Sequence, residues 1–92
     1  MEWDIALSRQ VQKFLSQHHL ADDAVTELLA RAVKKFNGET VALDLKRLTG
    51  KWEGCFRIRT SKYRIIFSIN FEAHSVFVEI FDNRDSSYKR HA

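Results

Sequence analysis

Two neighbouring stretches of this 92-residue chain alternate arginine with apolar residues. Cys55-Phe56-Arg57-Ile58-Arg59 is followed, after Thr60-Ser61-Lys62, by Tyr63-Arg64-Ile65-Ile66-Phe67. A guanidinium group is planar, permanently charged, and carries five N–H donors in a fork that matches the oxygens of a phosphate. Three such groups on one surface would hold a phosphodiester and stabilise negative charge that builds on it during reaction. Arginine is a poor proton acceptor, so these side chains would act as charge clamps rather than bases. The competing reading is that long arginine side chains splay into water at little cost.

Whether the three meet depends on register. Period-two alternation predicts two antiparallel strands with a short turn centred on Ser61-Lys62. A two-residue or a four-residue loop gives the same pairing: Phe56 faces Phe67, Ile58 faces Ile65, and Arg59 faces Arg64. The apolar four then share one face, and Arg57, Arg59 and Arg64 share the other, beside Ile66 and Ser68. An odd loop would swap the sides of one strand. Two like charges directly opposite are unfavourable, and the hairpin places no acid between them. A local rule broken without evident gain is where function is to be expected.

The rest of the chain must supply the cover. Trp3, Ile5 and Leu7 alternate with Asp4 and Ala6, which predicts a first strand. Ser8 is a helix N-cap, and Val11, Phe14, Leu15 and His18 recur at helical spacing. Asp22 or Asp23 caps a second helix with the stripe Val25, Leu28, Leu29, Ala32, Val33 and Phe36, stopped by Asn37-Gly38. Lys34 and Lys35 fall in its last turn, where they suit the macrodipole. His19–Ala21 joins the two helices into a hairpin. Val76 to Phe81 reads as a further strand, with Lys51–Gly54 and Phe71–Ser75 as connections. The predicted class is α+β, a small antiparallel sheet with the helical hairpin on one face, in the order β-α-α-β-β-β. The first strand must join that sheet or be left unpaired.

Composition narrows the function classes. Residues 1–92 read as one domain. Residues 1–45 hold five basic and seven acidic side chains, residues 46–92 ten basic and five acidic, so the surplus positive charge lies entirely in the second half. That asymmetry points to a polyanion, nucleic acid first, against a basic surface kept for solubility. One cysteine, Cys55, excludes an intrachain disulfide and reads as a buried, inert thiol. No apolar run is long enough to cross a membrane, and no secretory leader is apparent, so the expected location is the cytoplasm. His18-His19 lacks metal-ligand spacing with any cysteine and suits a helix end. Trp3 fits the core. Trp52, beside the basic strand, could equally pack or stack on a base. Gly50 and Gly54 make no phosphate loop, since no Gly-Lys-Ser/Thr follows. No metal and no small-molecule cofactor is expected.

Residues 45–90 resemble the RelE/ParE superfamily of bacterial toxin–antitoxin toxins. The resemblance is carried by Leu48, the two arginine-bearing strands, the apolar strand Val76–Phe81 and the closing Asn83-Arg84-Asp85-Ser86-Ser87-Tyr88-Lys89. It implies a curved antiparallel sheet with two helices on its convex side. It further implies, for the RelE-like branch, a ribosome-dependent endoribonuclease, in which the ribose 2′-hydroxyl attacks the adjacent phosphate. By position, Arg64 and Arg84 match the family's phosphate-contacting arginines and Tyr88 the aromatic that orients the nucleotide. Arg57 and Arg59 stand where well-known members carry lysines, one of them proposed as the base. Arg59 then joins Arg64, Arg84 and Tyr88 as the catalytic set, without a base. Glu53, His74 and His91 are the candidates for that role. Arg57, Lys51, Lys62, Lys89 and Arg90 are the expected RNA contacts. The implied partners are a cognate antitoxin, mRNA on the ribosome and rRNA. The ParE-like branch, which poisons DNA gyrase and generally lacks the catalytic set, is the alternative.

Overall fold

The computed structural model describes residues 3–83. Strand β1 (Asp4–Leu7) leads into helices α1 (Arg9–Gln17) and α2 (Asp23–Phe36). Strand β2 (Asp44–Arg47), a 3-10 turn (Gly50–Trp52), and strands β3 (Cys55–Arg59), β4 (Tyr63–Asn70) and β5 (Ser75–Asn83) follow. The five strands form one sheet in the order β1-β5-β4-β3-β2. All neighbours are antiparallel except β1 and β5, which run parallel. The architecture is the expected α+β one. It carries one strand more than the alternation predicted, β2, and β1 resolves its open question by pairing with β5.

The β3–β4 register is the predicted one: Phe56 opposite Phe67, Ile58 opposite Ile65, Arg59 opposite Arg64. Thr60 closes the turn. Its hydroxyl accepts from the N–H groups of Lys62 and Tyr63, and its own N–H donates to the Tyr63 carbonyl at 2.9 Å. The helices cover the Ile58, Ile65 and Phe67 side of the sheet, where these residues join Val11, Phe14, Leu15, Val25, Leu29, Val78 and Phe81 in one buried core. Each large apolar side chain buried there contributes about 1.5–3 kcal/mol.

Ser8 caps α1 as expected, its hydroxyl accepting from the Val11 N–H at 3.2 Å. α1 ends where His19 takes φ 53, a left-handed turn that brings the Leu20 N–H to the Leu15 carbonyl at 2.9 Å. Asp22 occupies the N-cap position of α2 but is helical (φ −58, ψ −24) and makes no capping bond. Asp23 lies in the first turn, where negative charge suits the helix dipole. Gly38, at φ 90, supplies the stop. The basic last turn does more than answer the dipole. Lys35 donates to the Leu43 carbonyl at 2.7 Å, and Arg31 donates to the Ala42 carbonyl, which ties the segment leading into β2 onto α2.

β5 is not a simple alternating strand. Ile66 pairs with Ile80 but Phe67 with Val78, so Glu79 is an extra, bulged residue. Val76 and Val78 point into the core before the bulge and Phe81 after it. The phase change turns Asp82 onto the face away from the helices. β1 ends at Leu7, leaving the edge of β5 beyond Val78 without a strand neighbour. Side chains of α1 complete it. The Ser8 hydroxyl donates to the Glu79 carbonyl at 2.7 Å, and the Gln10 amide both donates to and accepts from the Phe81 main chain at 3.1 Å.

Candidate nucleic-acid interface

The sheet face opposite the helices carries Arg57, Arg59 and Arg64, since Ile58 and Ile65 point into the core. Three of the predicted site residues are therefore brought together on one surface. They are not uncompensated there, as the hairpin alone implied. Asp44 of β2 accepts from Arg57 Nη2 at 3.1 Å through Oδ1 and from Arg59 Nε at 3.0 Å through Oδ2. Asp82 of β5 accepts from Arg64 Nη2 at 3.1 Å. Flanking strands, not the hairpin, supply the missing acids. Three guanidinium groups and two carboxylates leave one positive charge in excess.

The arrangement has a plain geometric cause. Asp44 is the cross-strand partner of Arg59, Arg59 of Arg64, and Arg64 of Asp82. The four side chains form one row across four strands, with the arginines inside and the carboxylates outside. Arg57 stands two residues along, opposite Lys46, which adds a further exposed charge on the same face. Partial desolvation of Asp44 by its neighbours pushes its pKa up. The hydrogen bond from Arg59 and the positive charges of Arg57 and Arg59 outweigh it, so the carboxyl titrates below its ordinary value. Ion pairing still leaves donors: Arg59 engages Asp44 through Nε alone, and the other guanidinium nitrogens make no side-chain bond among the described residues. Arg57 Nε, Arg64 Nε and Asp82 Oδ1 are buried and have no partner among the described residues. Such atoms mark a surface whose polar groups are not completed by the described residues.

Apolar residues also stand on this face beside the arginines. Ile66 is 6% exposed and Phe77, on β5, 39%. Cys55 lies at the far end of β3 from Arg59. It is partly exposed rather than buried as expected; desolvation and then the charge of Glu79 push its thiol pKa up, which disfavours the thiolate.

The other predicted residues fall in several places. Lys62 is exposed in the β3–β4 turn, directly after the arginine row. Lys51 sits in the 3-10 turn with its Nζ 6.0 Å from the Trp52 ring centroid, so that tryptophan is partly engaged within the chain. Glu53 precedes Cys55, a full β3 length (about 13 Å) from Arg59. His74 lies in the β4–β5 turn, beyond the end of a strand that runs ~20 Å from Arg64 to Asn70, and stacks on Trp3 at 4.9 Å. Neither proton-transfer candidate is brought to the arginine row. Arg84, Tyr88, Lys89, Arg90 and His91 lie outside the described residues. Among the described residues, no group of three His, Cys, Asp or Glu is placed to hold a metal ion, and no helix is long and apolar enough to cross a membrane.

Sequence reasoning missed Asp44, Lys46 and Asp82. Leu43 and Leu45 alternate with Asp44 and Lys46, the one local sign of β2. The adjacent apolar pair Ile80-Phe81 is the sign of the bulge that turns Asp82 outward.

No protein-family model matches the sequence, and no curated protein matches it. Solved structures do. The toxin–antitoxin complex RelBE2 of Mycobacterium tuberculosis holds a chain 20% identical, matched over 91% of this chain and 100% of that one with a TM-score of 0.57. The archaeal RelE–RelB complex of Pyrococcus horikoshii gives 22% identity, 91% and 97% coverage and a TM-score of 0.57. The DinJ–YafQ toxin–antitoxin complex of E. coli gives 14% identity, 94% and 97% coverage and a TM-score of 0.63. Mutual coverage is near-complete in each case, and the chain has the fold of these RelE-like and YafQ-like toxin–antitoxin toxins.

Proposed function

We propose that this chain is the toxin of a toxin–antitoxin pair and cuts mRNA on the ribosome as a metal-independent endoribonuclease. The observation that carries the reading is the cross-strand Arg59–Arg64 pair, with Arg57 beside it, on the sheet face that the helices leave uncovered. In-line attack of a ribose 2′-hydroxyl oxygen on the adjacent phosphorus forms the 2′,3′-cyclic phosphate and breaks the bond to the 5′-oxygen; the 2′ proton passes to solvent water, and the departing 5′-oxygen takes a proton from water to leave as a hydroxyl. Negative charge grows on the two non-bridging oxygens as this happens. Arg59 and Arg64 stabilise it, and Arg57 holds the neighbouring backbone. Arg84 and Tyr88 join them by the family resemblance, as second phosphate contact and nucleotide platform. Lys51, Lys62, Lys89 and Arg90 contact RNA. Of the expected acceptors, Glu53 and His74 lie away from the row, and the two carboxylates within it, Asp44 and Asp82, are ion-paired to the arginines. The partner is a cognate antitoxin, as the fold neighbours in complexes with RelB and DinJ suggest.

A second reading has its own support. Asp44 and Asp82 cancel most of the arginine charge, which suits a ParE-like toxin that binds gyrase and performs no chemistry. The two separate cleanly. Under the first, expression in a bacterial host produces new 5′ ends within translated mRNA by primer extension, and Arg64→Ala or Arg84→Ala abolishes them with the fold intact. Intact message, together with blocked supercoiling by purified gyrase, would replace it with the second.

A further inference from the structure

Asp44, Arg59, Arg64 and Asp82 are successive cross-strand partners, so charges of sign minus, plus, plus, minus stand in line across the open face. The two ends differ. The Asp82 side chain is 14% exposed and serves one arginine, whereas the Asp44 side chain is 44% exposed, lies on the edge strand and serves two. Asp44 is therefore the solvent-facing acid that a polyanion approaching Arg57 and Arg59 has to displace or lie beside.

We propose that Asp44 sets the affinity of the arginine face for single-stranded RNA, holding it below what three guanidinium groups would give. The inference rests on the RNA reading above. Two effects act in the same direction. The carboxylate removes a unit of positive charge where phosphate would sit, and it occupies Arg59 Nε and Arg57 Nη2, two of the donors a phosphate would use. A face so restrained binds a strand placed on it by other contacts and releases polyanions that offer charge alone. Asp44 acts through the arginines. It is a residue that tunes them, not a catalytic one.

The test is binding of a short fluorescent single-stranded RNA, by anisotropy across a series of salt concentrations. Asp44→Asn is nearly isosteric, and its amide oxygen still accepts one arginine bond, so it removes charge while largely keeping geometry. Binding should tighten about fivefold at low salt, the scale of one unit charge about 4 Å away in water. The slope of log affinity against log salt should steepen by about 0.7, one more phosphate neutralised on a single strand. Asp4→Asn makes the same change of net charge on the same face, but at the opposite edge strand and about 23 Å of strand from Asp82. It should change little. Equal tightening by Asp4→Asn, or unchanged or weaker binding by Asp44→Asn, overturns the proposal. If wild-type binding depends on Arg59 yet Asp44→Asn has no effect, the RNA reading survives and this inference alone fails. If neither wild type nor Asp44→Asn binds RNA, both fall.

Discussion

Ser8→Ala should be strongly destabilising for a half-buried position, because one hydroxyl serves two structures. It accepts from the Val11 N–H at 3.2 Å, capping α1, and donates to the Glu79 carbonyl at 2.7 Å, at the bulge of β5. Loss of a serine cap costs about 1 kcal/mol. A part-buried carbonyl left without its donor costs about 1 kcal/mol more. The sum, about 2 kcal/mol, corresponds to a fall of roughly 8–16 °C in Tm for a domain of this size. Ser8→Gly divides the two contributions, since glycine is a tolerable N-cap but has no hydroxyl for Glu79. It should cost about 1 kcal/mol. Urea unfolding reads the change as a lower midpoint at constant m-value. Amide hydrogen exchange reads where it acts: exchange should quicken at residues 79–83 as well as in the first turn of α1. The consequence for the site follows from the phase change at Glu79, which turns Asp82 toward Arg64. An Ala variant losing under about 0.5 kcal/mol, or exchange quickening in α1 alone, would refute the idea that Ser8 holds the bulge.

Further outcomes follow from the same geometry. Phe67→Ala, at a position 1% exposed in the centre of the core, should cost about 3–5 kcal/mol by chemical denaturation. Asp44 has a folded pKa below its ordinary 3.8, so its stabilising contribution is complete above the unfolded value and is lost as pH falls through the folded one. Asp44→Asn should accordingly flatten the acid limb of the stability–pH curve below about pH 4 and leave its slope near neutrality unchanged. Cys55, with its thiol pKa pushed up by burial and Glu79, should alkylate with iodoacetamide at pH 7.5 more slowly than free cysteine. Faster alkylation would show an activated thiolate instead.

Local rules were enough for much of this fold. Alternation over Phe56–Arg59 and Tyr63–Phe67 with an even turn determined which side each arginine takes, and the structure has that register. The apolar stripes of α1 and α2 likewise marked the faces they bury. What escaped was non-local. β2 is four residues long with Leu45 its one inward apolar residue that packs on the core, too little periodicity to stand out. Parallel pairing of β1 with β5 joins residues some seventy positions apart. The bulge at Glu79 shifts phase within a strand that otherwise alternates. Both carboxylates that neutralise the arginines depend on those features: Asp44 is 13 and 15 residues from its partners and Asp82 18 from its own. The convergence of arginines was thus legible and their net charge was not. The expected bases fared differently again, since a histidine or glutamate in a loop has no period to place it, and Glu53 and His74 fall at the end of the sheet away from the row.

The most direct test of the central claim, that the arginine face is where RNA is held, is an NMR titration of the ¹⁵N-labelled protein with a non-cleavable, 2′-deoxy-substituted RNA oligonucleotide. The side-chain Nε–H signals of Arg57, Arg59 and Arg64 and the β3 and β4 amides around them should shift, with α1 and α2 undisturbed. Shifts centred on the helices, or none at the three arginines while binding occurs, would contradict it.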